Sequence, residues 1–146
     1  MDYFIAELGQ SQIIGIPLNM TGEVISIGVA QVCPIPGVKP SLLGAIALRG
    51  KLLWLLDLSL LLNFGPTSQN RTNKLTVLVA KYNQKKFGLV VKKLRNIQRG
   101  ENLKFQLINQ SELGENIRYI KGKSDLAEGD DFNLVDLEAI YKYINQ

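Results

Sequence analysis

Apolar residues fill both phases of a strand in one short stretch: Leu52, Trp54 and Leu56 alternate with Leu53 and Leu55. A run of this length, apolar on both faces, predicts a strand covered on both sides. Asp57 follows where a helix N-cap belongs, with its carboxylate free to accept a backbone N–H two or three residues on. Leu58, Leu61 and Leu62 continue at helical spacing, and Gly65 and Pro66 stop the run. The pattern returns at the C-terminus. Gly129 precedes Asp136 by seven residues, as Gly50 precedes Asp57, and Leu137, Ile140, Tyr141 and Ile144 form an apolar helix stripe behind the second cap. A hairpin pattern opens each copy. Phe4–Leu8 faces Gln12–Ile16 across a turn containing Gly9, and "LTVLVAKYNQKKFGLVV" folds back around Asn83–Lys85. The chain therefore reads as one domain of two related subdomains, about 1–66 and 74–146, divided near "FGPTSQNRTN". Each is too small to bury a large core alone, so a shared hydrophobic seam is expected. Short strands broken by glycines favour a mainly β fold of two small barrel-like sheets with short helices and a C-terminal helix.

The greasiest window, 42–62, holds twelve Leu or Ile residues, but also Arg49, Lys51 and Asp57. Each apolar residue favours insertion by roughly 0.3–0.6 kcal/mol and each charge opposes it by about 2.5–3.5 kcal/mol, so the window is no convincing membrane span. The first residues, "MDYFIAELG", carry no secretory pattern. With one cysteine, Cys33, no internal disulfide is available, a reducing cytoplasmic compartment is expected, and Cys33 reads as a small buried hydrophobe.

The net charge of +4 lies wholly beyond residue 73, where thirteen basic groups face nine acidic ones. Lys85, Lys86, Lys92, Lys93, Arg95 and Arg99 raise the alternative of a small basic barrel binding single-stranded nucleic acid. Only Tyr82 and Phe87 accompany them, so a charged rim that blunts an edge strand is the stronger reading. The absence of histidine removes Ser-His-Asp and Cys-His catalysis and histidine metal sites. No phosphate loop opens a helix, and no second cysteine helps hold zinc. The acidic cluster Glu128, Asp130 and Asp131 reads as a solvated turn between strands. The expectation is a binding protein with no catalytic residue, metal or cofactor.

The segment "GAIALRGKLLWLLDL" (residues 44–58) resembles the signature of CheW-like domains, the bacterial chemosensory coupling proteins and the regulatory domain of the CheA histidine kinase. Gly44, Leu48, Arg49, Gly50, Asp57 and Leu58 occupy the signature's places. Glu23, Val24 and Ile25 match an upstream glutamate-valine-isoleucine, and Pro36 and Pro40 a proline-bearing loop. "FGLVVKKLRNI", "YIKG" and "LVDLEAI" follow in the family's order, so the resemblance runs from about Tyr3 to Ile144. It implies two SH3-like five-stranded β-barrels on a common seam. It also implies an adaptor linking methyl-accepting chemoreceptor tips to the regulatory domain of a CheA-type kinase and to other CheW-like domains. The residues it brings to the receptor and kinase interfaces are Thr21, Gly22, Glu23, Gly44, Arg49, Gly50, Lys92 and Leu94. Trp54 is a further candidate anchor, although core filling suits it better, while Asp57 and Asp136 are structural caps. Arg49 is expected either to present its donor fork to a partner or to fix its turn by an internal bond. Gly44 and Gly50 read chiefly as backbone requirements. Three positions depart from the family pattern: Ala47 replaces a frequent asparagine, Trp54 a frequent proline, and Lys92 a usual aspartate. A charge reversal at a contact suits a partner of opposite sign.

Overall fold

The computed structural model describes residues 1–67, 73–100, 118–125 and 131–145. Its strands are β1 (Tyr3–Glu7), β2 (Ile13–Pro17), β3 (Thr21–Gly28), β4 (Leu42–Leu48), β5 (Lys51–Asp57), β6 (Lys74–Tyr82), β7 (Lys85–Val91), β8 (Lys93–Gln98), β9 (Ile120–Asp125) and β10 (Asp131–Val135). Two α-helices among the described residues, α1 (Leu58–Leu61) and α2 (Leu137–Ile144), each follow a strand and start at a capping aspartate.

Both expected hairpins form. Phe4 pairs with Ile16 in β1–β2, and Tyr82 with Lys85 in β6–β7. The two-residue turn Asn83–Gln84 has φ of 52° and 64°, and the turn Arg49–Gly50 between β4 and β5 has φ of 50° and 77°. Two successive positive φ values give the turn that matches the twist of an antiparallel pair. They explain why glycine stands at position 50.

The strands form two five-stranded sheets, ordered β8-β1-β2-β10-β9 and β3-β6-β7-β5-β4. The mainly β, SH3-like, paired architecture is as expected, but the sheets are open at their edges rather than closed into barrels. The sequential split at 66/74 does not match them. The second sheet is one continuous span from β3 to β7, whereas the first joins β1–β2 to β8–β10. The duplication is nevertheless visible in space, with the hairpins exchanged. Hairpin β1–β2 is flanked by β8 and by β10, whose pairing with β2 is parallel. Hairpin β6–β7 is flanked by β3 and by β5, whose pairing with β7 is parallel. Gly15 faces Leu134 in one sheet as Gly88 faces Leu55 in the other. At both, a Cβ would collide with a core side chain, Phe132 at 2.5 Å or Leu55 at 2.6 Å. A pattern read along the chain found the repeat but not the exchange, because strand partnering is a non-local choice.

A common core joins the sheets. It takes Ala6, Leu8, Ile14 and Ile16 from the first, Leu56, Leu78, Leu89 and Val91 from the second, and Leu58, Leu137 and Ile140 from the helices. Each sheet also has a smaller core of its own, around Leu53, Leu55, Val77 and Val90 in the second and around Ile5 and Phe132 in the first. The expected seam is therefore present: Leu56, Leu58, Leu61 and Leu62 line it, and Leu55 the adjoining core. Lys51 and Leu52 are the exception, since β5 begins beyond the reach of the core and leaves Leu52 64% exposed. Cys33 is exposed, not buried. It bridges to Ala45 outside the edge strand β4, where no described element covers it. No helix among the described residues is long and apolar enough to cross a membrane.

Candidate functional site

The chain passes between the sheets twice, through the 3-10 turn Leu18–Met20 between β2 and β3, and through Lys92 between β7 and β8. Each crossing leads straight into an edge strand, β3 of the second sheet and β8 of the first. Five of the expected interface residues lie at these crossings, which stand at opposite ends of β1. Thr21, Gly22 and Glu23 open β3 on the Asp2 side, while Lys92 precedes β8 and Leu94 lies near its start on the Glu7 side. The crossings are tied locally. Thr21 donates its hydroxyl to the Leu18 carbonyl at 2.7 Å, and the Lys92 N–H donates to the Glu7 carbonyl at 2.9 Å. Lys92 is exposed, whereas Leu94 is half-buried and packs, like Met20, against the common core.

Arg49 reaches the first crossing, at Glu23, from the β4–β5 turn. Its guanidinium grips the Glu23 carboxylate with both forks, Nη1 to Oε1 and Nη2 to Oε2, each at 2.5 Å. The hydrogen bond from Arg49 holds the Glu23 carboxyl below its ordinary value, and the charges of Arg49 and Lys86 act in the same direction. The Arg49 guanidinium rises correspondingly, first through the bond to Glu23 and then through its charge. The internal bond is thus present, while Arg49 still leaves 67% of its side chain at the surface. Glu23 lies in the register shift between Thr21 and Val24, and its charge sits on an open edge strand, where charge discourages unwanted pairing.

Gly44 and Gly50 stand at opposite ends of one problem. At Gly44, φ is +142° and a Cβ would lie 2.2 Å from the Cys33 carbonyl oxygen, so the crossing chain at Cys33–Pro34 requires glycine. At Gly50 only the turn conformation does. Gly44 is buried and is not brought beside Arg49. Trp54 is half-buried against the common core, and Ala47 is exposed.

Asp57 and Asp136 cap their helices in matching geometry, accepting from the Leu60 N–H at 3.3 Å and the Ala139 N–H at 3.2 Å. Asp57 also holds Thr67, which donates its N–H at 2.9 Å and its hydroxyl at 2.6 Å. Helix α2 is clasped from two sides: Lys39 donates to the Tyr143 carbonyl and lies over its ring, and Tyr141 packs at a tilt against Tyr82.

Sequence reasoning missed three exposed apolar residues, Val24 on β3 at 44%, Ile97 on β8 at 51%, and Leu52. The signal was in "EVISI", where apolar residues occupy both strand phases although one phase faces water. The basic set is divided. Lys85 and Lys86 lie on β7, an interior strand, so the edge-blunting reading fails for them; Lys93 and Arg95 lie on the edge strand β8, where it holds. Glu128 and Asp130, with Gly129, fall outside the described residues. Asp131 opens β10 and pairs with Lys123 at 3.4 Å. No group of three His, Cys, Asp or Glu among the described residues could hold a metal ion.

A family model of CheW-like domains matches residues 2–144. The chain belongs to the CheW-like domain family. That family supplies scaffolds and adaptors of chemotaxis signalling, and the chain carries its fold. Among solved structures it is similar to the scaffolding protein TtCheW from Thermoanaerobacter tengcongensis. The TM-score is 0.75 at 16% identity, over 92% of this chain and 88% of that one. No curated protein matches.

Proposed function

We propose that this CheW-like domain is a non-catalytic adaptor that couples methyl-accepting chemoreceptor tips to the regulatory domain of a CheA-type kinase in a cytoplasmic chemosensory array. The observation that supports the reading is the CheW-like family match over residues 2–144. With it goes exposed Arg49, bound to Glu23 beside Thr21 and Gly22 at the start of one open edge strand, while Lys92 and Leu94 offer a separate contact at the other crossing. The open sheet edges β3 and β8 carry unpaired backbone groups and exposed apolar side chains, Val24 and Ile97, and so offer added packing to a partner. Further CheW-like domains are candidate partners on the same grounds, and Gly50 serves this surface by shaping the Arg49 turn.

The test is co-purification with the CheA regulatory domain and with receptor tips from the same genome. Association is expected with both, weakened by Arg49→Ala and by Leu94→Asp in chains that still unfold cooperatively. Failure to retain either partner above micromolar background would sink the adaptor reading.

A further inference from the structure

The second sheet's own core opens to solvent at one end. Leu48 and Leu53, which pack into that core, floor a groove of about 450 Å³ beside the Arg49–Gly50 turn. Leu52, the most exposed large apolar side chain of the described residues, stands on its wall with Lys51, Lys81 and Lys86.

The charges here are arranged at a cost. Lys81 and Lys86 are direct cross-strand partners on β6 and β7, and like charges so placed destabilise the pair. Neither strand is an edge, so the two lysines protect no open ladder. No salt bridge forms at Lys51, Lys81 or Lys86 among the described residues. The nearby acid whose titration Lys86 influences, Glu23, is occupied two-pronged by Arg49. An apolar floor under uncompensated cations is complementary to one class of ligand.

We propose that this groove receives an acidic segment of a partner protein. The segment seats one apolar side chain on Leu48, Leu52 and Leu53 and sets carboxylates against Lys81 and Lys86. The carboxylates gain charge-assisted hydrogen bonds and also relieve the repulsion between the two lysines. The proposal rests on the adaptor reading only in taking the ligand to be a protein. It extends the contact area from the Thr21–Glu23 crossing past Arg49, which itself lines the groove.

The test is an NMR titration of the full chain with three probes: a short peptide with one phenylalanine flanked by glutamates, the same peptide with glutamines, and single-stranded oligothymidine. The acidic peptide is expected to shift the amides of Leu48, Leu52, Lys81 and Lys86, to weaken as salt rises, and to lose about tenfold in affinity in a Lys81→Glu/Lys86→Glu chain. Lys86→Glu alone is expected to raise the unfolding midpoint while weakening the peptide, because it turns a repulsive pair into an attractive one. Equal binding of the glutamine peptide, oligothymidine binding in the peptide's place, shifts elsewhere, or no shift at millimolar peptide would each overturn the proposal. A midpoint that does not rise would remove its electrostatic premise. Because these probes need neither kinase nor receptor, peptide binding with failed co-purification would sink the adaptor reading and leave the groove standing.

Discussion

Gly44 and Gly50 lie within seven residues of each other, yet alanine should affect them differently. At Gly44 the added Cβ meets backbone at 2.2 Å, so Gly44→Ala is expected to cost about 3 kcal/mol or more and to lower the unfolding midpoint sharply. At Gly50 nothing stands within 4 Å and only the positive φ is opposed, so Gly50→Ala should cost about 1–2 kcal/mol in the same denaturation experiment. The pair Glu23–Arg49 makes a different prediction. Its carboxyl titrates below the ordinary value in the fold and returns to it when unfolded. The pair's contribution is therefore full above that ordinary value and is lost as pH falls through the lowered one. Arg49→Ala should move the Glu23 titration upward, read by carboxyl NMR, with little change in the unfolding midpoint at neutral pH because both groups meet solvent. At this scale the sequence announced glycines and an arginine with an internal bond as one option. It did not announce Glu23 as the partner, because the two residues are 26 positions apart and meet only once β3 and the β4–β5 turn are placed.

The two strand-cap-helix elements are alike in sequence and differ in load. Asp136 accepts one cap bond, from Ala139, and Asp136→Ala should cost about 0.5–2 kcal/mol. Asp57 is buried and accepts three bonds, two of them from Thr67. Asp57→Ala, which strands those donors, should cost about 2–4 kcal/mol, a clear difference in paired urea titrations. Both caps were legible because a cap is local chemistry: an aspartate at the end of an apolar strand and an amphipathic run behind it. Thr67 as a ligand of Asp57 was not, since it depends on how the chain turns after Gly65. The exposure of Leu52 was likewise hidden. The apolar run that follows it in "KLLWLL" suits a covered strand, and only the position of the turn decides where cover begins.

Across the whole molecule, the hairpins and the repeat could be read from residue alternation, and the shared core from the smallness of each half. Which hairpin joins which sheet could not, because β1–β2 satisfies its pattern equally beside β5 or β10. The exchange has a direct test. Cutting between residues 67 and 73 leaves β1–β5 and β6–β10, and neither piece contains a complete sheet. Each alone is expected to lack cooperative unfolding, and an equimolar mixture to recover dispersed amide signals. Two fragments that fold separately would contradict the sheet order.

The two passages at Leu18–Met20 and Lys92 carry a mechanical consequence. They are the only covalent links from one sheet to the other among the described residues, so any tilt of one sheet against its neighbour must bend at these points. The buried core that grips both sheets opposes such bending along their whole contact, so a load taken up on one sheet is passed to the other as through a single block.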